Sequence, residues 1–332
     1  MRVAINGLGR MGRLFLRAAL PAGIDVVVIN EPDGTAEALA LGVEFDSVQG
    51  RYASPVTTDG ARLVVADRSV DLIQVATFER LDWAAHGVDL VVDCSGKAKQ
   101  LDRARVHLDR GAHQVLVSNP VQGVPNIVYG VNHADVDFAG EPVLTAASCT
   151  TNCLAPVVRV LHDAIGIERG AITTMHDPTN TQVVVDRPHK DPRRARSALL
   201  NLIPTSTNSA TAVTMIVPEL RGRLDSIAVR VPVLNASLTD CTFEMQRTTS
   251  VDEIHAAIRT AAAGRMQGVL GIEDRPLVSS DYANDPRSGV VDAGCTRVVD
   301  GRLAKVMIWY DNEWGYVNRM ADLVRCIQAA QR

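Results

Sequence analysis

The sequence contains no uninterrupted run of 18 apolar residues, although 46% of its 332 residues are hydrophobic. A membrane-spanning helix needs about 20 consecutive apolar residues, so we expect no membrane span. The chain opens directly into a strand-like segment without a signal peptide, which predicts a cytoplasmic protein. Its length and hydrophobic content are sufficient for two cores and therefore predict two domains.

Paired cysteines and a strong net charge are also missing. The six cysteines, at positions 94, 149, 153, 241, 295 and 326, form no C-x-x-C pair, so we interpret them as free thiols and expect neither disulfides nor a metal site. A formal net charge of −4 gives no general attraction to nucleic acid or anionic lipid. The basic segment 187–196 contains none of the aromatic residues that stack bases, which argues against a nucleic-acid partner.

A glycine-rich loop follows the first strand-like segment, residues 2–6. In a dinucleotide-binding fold, the first glycine permits a tight turn and the second lets the backbone approach a pyrophosphate. The third lets the following helix pack on its strand. The predicted cofactor residues of this loop are Gly7, Gly9, Arg10, Met11 and Gly12.

The second strand-like segment, residues 25–30, ends at a carboxylate, Glu31. This is the place where an acidic side chain binds the hydroxyl groups of a ribose. A 2′-phosphate would meet a like charge at Glu31, although Arg10 or Arg13 could partly offset it. The segment therefore favours NAD over NADP. The alternative is that Glu31 is only an acidic residue at a helix start.

Cys149 lies where a strand-like segment changes into a helical one. Ser148 can cap that helix, and Pro156 is tolerated only near the helix start or at a kink. Unpaired N–H groups at the helix start, with a histidine nearby, lower the pKa of a thiol and favour the nucleophilic thiolate. His176 is the candidate base, although a lone histidine is more often structural. We interpret Cys153, one turn later, as a buried structural thiol.

The pattern of segments predicts an α/β protein with two differently built domains. Strand-like segments at 61–66, 72–76, 90–94, 113–118 and 142–145 alternate with helical ones, which predicts a mainly parallel sheet. The second half has long strand-like stretches at 226–233, 237–246 and 303–309 and one helical pattern at 251–263, which predicts an α+β domain. Apolar residues at helical spacing in 317–330 predict a terminal helix that returns to the first domain.

Four motifs resemble those of the glyceraldehyde-3-phosphate dehydrogenase family, in its order and spacing. They are N-G-L-G-R-M-G-R at 6–13, S-C-T-T-N-C-L-A-P at 148–156, P-H-K-D at 188–191 with R-R-A-R at 193–196, and W-Y-D-N-E-W-G-Y at 309–316. The resemblance implies a Rossmann-type NAD-binding domain of residues 1–148 with 312–332. It also implies an α+β catalytic domain with a mainly antiparallel sheet at 149–311. The expected assembly is a homotetramer, in which the loop at about 178–200 reaches a neighbour's cofactor site.

The resemblance also assigns roles to individual residues. It implies that Cys149 attacks the aldehyde of glyceraldehyde 3-phosphate and that His176 accepts the hydroxyl proton while hydride passes to NAD. Inorganic phosphate then cleaves the resulting thioester, which requires two anion sites. The residues implied for the substrate phosphate are Thr179, Arg194 and Arg230, and those for the attacking anion are Ser148, Thr150, Thr207 and Asn208. Further cofactor contacts are implied for Ser118, Asn312 and Tyr316.

Two departures from the family pattern lie near these sites. The chain reads T-N-S-A-T at 207–211 where familiar members read T-G-A-A-K, and Asp177 follows the base where they carry serine or alanine. Together with the stretches 179–182, 235–241, 273–279 and 285–288, these features resemble the paralogues found beside the ArsJ arsenate-efflux permease. Such paralogues are taken to make 1-arseno-3-phosphoglycerate for export. Phosphate and arsenate share charge and shape, so the sequence leaves the attacking anion open, and with it a role in glycolysis or in arsenate resistance.

Two further functions remain open on the sequence. Erythrose-4-phosphate dehydrogenase also resembles the chain, but its segment after the base differs more. A non-catalytic binding paralogue is the alternative from another class of protein. The intact set of Cys149, His176, Arg230 and Asn312 argues against it.

Overall fold

The computed structural model describes residues 1–179 and 181–331. These residues form two compact units. The first is Met1–Ser148 together with the C-terminal residues from Val317 onward, and the second is Cys149–Tyr316. Each unit is built around its own sheet.

The first unit contains a sheet with the strand order β10-β9-β8-β1-β2-β7-β6-β5 and a separate β3-β4 hairpin. Its strands are β1 (Arg2–Asn6), β2 (Asp25–Asn30), β3 (Phe45–Asp46), β4 (Gly50–Arg51), β5 (Val56–Thr58), β6 (Arg62–Val65), β7 (Arg68–Ile73), β8 (Leu90–Asp93), β9 (Gln114–Val117) and β10 (Val143–Thr145). Its helices are α1 (Arg10–Ala19), α2 (Ala36–Glu44) and α3 (Leu101–Asp109). The strands from β10 to β7 pair in parallel, whereas β6 and β5 are antiparallel.

The central strands of this sheet are buried on both faces, since every residue of β8 and β9 is buried. Such continuous apolar strands are typical of parallel sheets covered by helices. The predicted mainly parallel sheet is confirmed. The strand predicted at 72–76 is displaced, because β7 runs from Arg68 to Ile73 and its residues 68–71 pair with β6 in a hairpin. The turn of this hairpin holds Ala66 at φ 55°.

The second unit contains a sheet with the strand order β12-β13-β11-β14-β18-β16-β15, and β17 pairs with β18. Its strands are β11 (Ile167–His176), β12 (Ile203–Ser206), β13 (Leu224–Arg230), β14 (Ser237–Met245), β15 (Leu270–Glu273), β16 (Gly289–Asp292), β17 (Arg297–Val299) and β18 (Leu303–Tyr310). Its helices are α4 (Cys149–Ala164), α5 (Ser209–Ile216) and α6 (Val251–Ala263), and α7 (Trp314–Ala330) begins here. Most pairings are antiparallel, as expected, but β11–β13 and β15–β16 are parallel.

Local caps explain where two helices begin. Helix α6 has the predicted bounds, and Ser250 accepts a 3.2 Å hydrogen bond from the backbone N of Glu253 at its start. Helix α7 begins three residues earlier than predicted, because Asp311 Oδ1 accepts the N–H groups of Glu313 and Trp314 at 2.9 and 2.7 Å. The strand predicted at 226–233 ends at Arg230, after which the chain turns.

The described residues contain no helix that is long and apolar enough to cross a membrane. Within 1–179 and 181–331, no cluster of three or more His, Cys, Asp or Glu side chains is arranged to hold a metal ion.

Candidate active site

One edge of the second sheet brings several candidate residues together. Strand β11 ends at His176, and its parallel neighbour β13 ends at Arg230 in register with it. On the other side of β11, antiparallel β14 begins at Ser237, which pairs with Tyr310 at the end of β18. These pairings therefore place the four polar side chains of His176, Arg230, Ser237 and Tyr310 at the same edge of the sheet.

Cys149 is the first residue of α4 and is partly buried. Its Sγ lies 3.7 Å from Nε2 of His176 and 3.9 Å from Oγ1 of Thr150. Burial raises the pKa of the Cys149 thiol, but the hydrogen bond and charge of His176 outweigh it, so the pKa falls below its usual value. The start of a helix also favours a thiolate. The site therefore favours the ionised form of the nucleophile.

The other thiols behave differently. All six cysteines are free. Burial raises the pKa of the thiols of Cys94, Cys153, Cys241, Cys295 and Cys326. Cys153 is fully buried in α4, in keeping with a structural role. Pro156 lies farther inside this helix than the sequence suggested, and it removes one intrahelical hydrogen bond.

Ionisable side chains lie close to both ring nitrogens of His176. While Nε2 faces Cys149, Nδ1 lies 2.6 Å from Asp177 Oδ1, 2.9 Å from the Asp177 backbone oxygen and 2.7 Å from Arg230 Nη1. The Tyr310 ring stands edge-on to the imidazole, with centroids 6.2 Å apart. Burial lowers the pKa of His176, but Asp177 and the Cys149 thiolate outweigh this effect and raise the pKa to about 9. The imidazolium form is therefore favoured beside the thiolate.

Three residues predicted for a substrate phosphate lie in one neighbourhood. Thr181 Oγ1 lies 3.0 Å from Thr179 Oγ1 and accepts a 3.0 Å hydrogen bond from Arg194 Nη1. Burial lowers the pKa of Arg230, the nearby anions of Cys149 and Asp177 raise it, and the positive charge of Arg194 lowers it further. The charge of Arg194 thus acts on Arg230. Asn180, which belongs to the stretch 179–182, lies outside the described residues.

The residues predicted for the attacking anion are more scattered. Thr150 Oγ1 lies beside Cys149 and 3.0 Å from the hydroxyl of Tyr310. Thr207 Oγ1 instead lies 2.7 Å from Ser209 Oγ at the start of α5. Asn208 occupies the N-cap position of α5 with φ −104°, which is outside the left-handed region that favours glycine. Ser148 is the last residue of the first unit.

Asp177 is a residue whose role the sequence did not reveal. Its side chain is 3% exposed, and its Oδ2 accepts a 2.9 Å hydrogen bond from Asn312 Nδ2. The other end of that amide, Oδ1, accepts a 3.0 Å hydrogen bond from Ser237 Oγ. Asn312 is thereby fixed relative to His176. Tyr316, the last predicted cofactor residue, is buried in the first turn of α7.

The glycine loop in the first unit has the shape that its sequence predicts. Gly7 adopts φ 96°, and its N–H donates to Asn30 O at 2.8 Å. A Cβ atom at Gly12 would lie 1.9 Å from the Gly7 carbonyl oxygen, so only glycine fits there. Gly9 caps α1, and a Cβ atom there would meet open space. The loop therefore leaves the start of α1 accessible to a pyrophosphate.

Glu31 is anchored to this loop and does not begin a helix. Its Oε2 accepts a 2.7 Å hydrogen bond from Leu8 N, and its Oε1 accepts one of 3.1 Å from Asp33 N. Helix α2 begins later and is capped by Thr35. The carboxylate oxygens retain lone pairs that can accept ribose hydroxyls.

The remaining cofactor candidates occupy different parts of the first unit. Arg10 forms an ion pair with Asp46, and Met11 follows it in the first turn of α1. Ser118 directly follows β9, and its N–H donates to Asp93 O at 2.9 Å.

Comparisons with known proteins point to a single family. A sequence model of the glyceraldehyde 3-phosphate dehydrogenase NAD binding domain matches residues 1–101, and one of the C-terminal domain matches residues 148–312. The chain is 52% identical over 332 residues to glyceraldehyde-3-phosphate dehydrogenase 3 of a Nostoc species, covering 98% of this chain and 97% of that protein. It is 48% identical to the Cereibacter sphaeroides enzyme of the same name, over 97% of each chain. With the Geobacillus stearothermophilus enzyme, identity is 43% over 98% of each chain.

Proposed function

The chain belongs to the glyceraldehyde-3-phosphate dehydrogenase family, and on this basis we propose that it oxidises glyceraldehyde 3-phosphate to 1,3-bisphosphoglycerate through a thioester on Cys149. It is an NAD-dependent oxidoreductase that acts on an aldehyde. The observation that carries the proposal is the 3.7 Å approach of Cys149 Sγ to His176 Nε2 at the start of α4. This pair supplies a thiolate and a proton carrier at the same point.

The proposed reaction uses the two groups in turn. The Cys149 thiolate forms a bond to the aldehyde carbon, while the carbonyl oxygen takes the proton of His176 Nε2. The neutral imidazole then takes the hydroxyl proton back as the carbon loses hydride with its electron pair, which restores the C=O bond in a thioester. The inorganic anion attacks that carbon, and Sγ leaves as a thiolate next to His176.

The first unit has residues that fit NAD. The glycine pair Gly7 and Gly12 holds the loop close to its strand, and Gly9 leaves room in front of the helix start. Glu31, fixed by Leu8 N, is suited to ribose hydroxyls. When bound, the nicotinamide of this cofactor accepts the hydride.

We extend the assignment to the other predicted residues by family resemblance. We propose that residues 1–148 with 312–332 bind NAD and that residues 149–311 carry out catalysis. Arg10, Met11 and Ser118 would complete the cofactor contacts in the first unit. Asn312 is assigned to the nicotinamide carboxamide, with Tyr316 beside it.

We assign the two anions to separate groups of residues. Thr179, Arg194 and Arg230 would bind the phosphate of the substrate. The contacts of Thr181 with both Arg194 and Thr179 support this assignment, as does the effect of the Arg194 charge on Arg230. The attacking anion would be bound by Ser148, Thr150, Thr207 and Asn208.

Arsenate is the second candidate for the attacking anion. The substitutions that favour it are Asn208 and Thr211, both exposed at the start of α5. They remove the lysine charge and the glycine of the usual pattern and add an amide. We therefore propose a subfamily relationship to the arsenate-associated paralogues, with 1-arseno-3-phosphoglycerate as the product and arsenate resistance as the role.

We also propose a cytoplasmic homotetramer. Large apolar side chains on the segment 178–202 are exposed in the single chain, among them Val185 at 75% and Leu200 at 85%. Exposed apolar residues grouped in this way mark a surface that another protein covers. A second copy of the chain is the expected partner.

The test is NADH formation from glyceraldehyde 3-phosphate and NAD, with phosphate or arsenate added and each component omitted in turn. We expect NADH only when the aldehyde, NAD and one of the two anions are present. Erythrose 4-phosphate serves as the competing aldehyde. Failure of glyceraldehyde 3-phosphate with both anions would overturn the proposal, as would a faster reaction with erythrose 4-phosphate.

A further inference from the structure

A buried carboxylate links the base to the amide that we assign to the cofactor. Asp177 Oδ1 lies 2.6 Å from His176 Nδ1, and Oδ2 accepts the 2.9 Å hydrogen bond from Asn312 Nδ2. Among the described residues, Oδ1 has no aligned hydrogen bond, so its contact with the ring is one of charge. Ser237 Oγ contacts both Asp177 and Asn312. It accepts a 3.3 Å hydrogen bond from Asp177 N and donates one to Asn312 Oδ1.

This carboxylate offsets a cation on the same side of the imidazole. The ionisable groups that face His176 are Cys149 from α4, Asp177, Arg230 from β13 and Tyr310 from β18. Arg230 Nη1 lies 2.7 Å from Nδ1 and opposes a positive charge on the ring. The carboxylate of Asp177 is the anion on that side, and its charge favours the imidazolium.

The importance of Asp177 increases during the reaction. Before the aldehyde binds, the Cys149 thiolate also stabilises the imidazolium. Once Sγ is bonded to the aldehyde carbon it is uncharged, and this stabilisation disappears. Asp177 is then the anion that keeps Nε2 basic enough to take the hydroxyl proton as the hydride departs.

We propose that Asp177 is a positioning residue that completes a catalytic triad with Cys149 and His176. It also holds the side chain of Asn312 beside this triad. Asp177 acts through the imidazole and does not touch the substrate. The assignment of Asn312 to the cofactor rests on the proposed function. The charge of Asp177 on His176 can be tested without it.

Two variants separate the charge of Asp177 from its hydrogen bond. Asp177→Asn keeps an oxygen that can accept from Asn312 but removes the charge, whereas Asp177→Ser removes both. Asp292→Asn is the matched control, because Asp292 is also a buried carboxylate of this unit and instead accepts from Trp309 Nε1 at 3.0 Å. The first measurement is the rate of Cys149 alkylation by iodoacetamide across pH, which needs neither substrate nor NAD.

The alkylation rate should show a step at high pH, where His176 loses its proton and frees the thiolate. We expect the pH of this high-pH step to fall by about 1–3 units in both Asp177 variants. In turnover, kcat should fall at least about tenfold in both. Only Asp177→Ser should also raise the KM for NAD. Asp292→Asn should keep the wild-type pH step.

Unchanged positions of the pH step in both Asp177 variants would overturn the proposal, even if their activity fell, because a merely structural role lowers rates without moving that step. If the wild-type enzyme showed no dehydrogenase activity, the proposed function would fail, while the alkylation profile would still decide whether Asp177 acts on His176. A moved step without any loss of kcat would overturn the catalytic part of the proposal.

Discussion

The Sγ atom of Cys149 lies 3.7 Å from Nε2 of His176, and each group favours the charged form of the other. The thiol pKa is lowered against the effect of burial, and the imidazole pKa is raised to about 9. Between these two pKa values the pair exists as thiolate and imidazolium. Below the thiol pKa the nucleophile is protonated, and above about 9 the imidazolium loses its proton. The geometry therefore favours the charged, reactive pair over a pH range that ends at about 9.

The first prediction concerns the nucleophile. Cys149→Ser should abolish dehydrogenase activity and leave NAD binding intact, because a serine hydroxyl is not ionised in this environment. Iodoacetate should label Cys149 far ahead of the other five thiols, whose pKa values are raised by burial. Mass spectrometry of partly labelled protein checks this. Even labelling of several cysteines with activity retained would contradict it.

The second prediction concerns cofactor choice. We expect the enzyme to prefer NAD over NADP by at least about tenfold, because the Glu31 carboxylate repels a 2′-phosphate. Glu31→Ala should narrow this preference, although it also removes the hydrogen bonds to Leu8 N and Asp33 N. Values of kcat/KM for both cofactors provide the measurement. Equal use of the two cofactors by the wild-type enzyme would show that Glu31 does not face the ribose.

The third prediction concerns the attacking anion. If Asn208 and Thr211 tune the site for arsenate, the ratio of arsenate to phosphate efficiency should exceed that of an ordinary family member assayed in the same way. The double change Asn208→Gly with Thr211→Lys should lower the ratio again. Loss of a lysine charge and gain of an amide donor should each change the free energy of the anion's interaction with the site by about 1–2 kcal/mol. An equal rise in both efficiencies would show that the two substitutions merely weaken the site.

The fourth prediction concerns a buried polar network in the first unit. Trp83 Nε1 donates to His107 Nδ1 at 3.0 Å, and His107 Nε2 lies 3.0 Å from Asp93 Oδ2, which also accepts from Asn6 Nδ2 at 2.7 Å. Trp83→Phe leaves the His107 nitrogen unpaired and should lower the free energy of unfolding by at least about 1–3 kcal/mol. Urea unfolding measures this change. An unchanged midpoint would mean that water replaces the lost donor.

The sequence was most informative where local patterns decide the structure. The glycine loop, β1 and α6 depend on spacing and caps within a few residues, and the structure has them at the predicted positions. The strand at 72–76 was displaced because its pairing with β6 depends on a hairpin that apolar patterning does not reveal.

The site was predictable only in part, for a related reason. The pairing of Cys149 with His176 was suggested by motifs, but the role of Asp177 was not. The hydrogen bond that gives Asp177 its place joins it to Asn312, 135 residues later in the chain. Such a contact depends on β11 and β18 ending at the same edge of the sheet, which no local pattern specifies.

The most direct test of the thioester mechanism is rapid mixing of the enzyme with glyceraldehyde 3-phosphate and NAD in the absence of phosphate and arsenate. We expect a burst of about one NADH per chain followed by a stall, since the thioester waits for an attacking anion. Added phosphate or arsenate should restart turnover, Cys149→Ser should show no burst, and His176→Asn should slow it by about 10²–10⁴-fold. Steady NADH formation without any added anion, or a burst that survives in Cys149→Ser, would contradict the account.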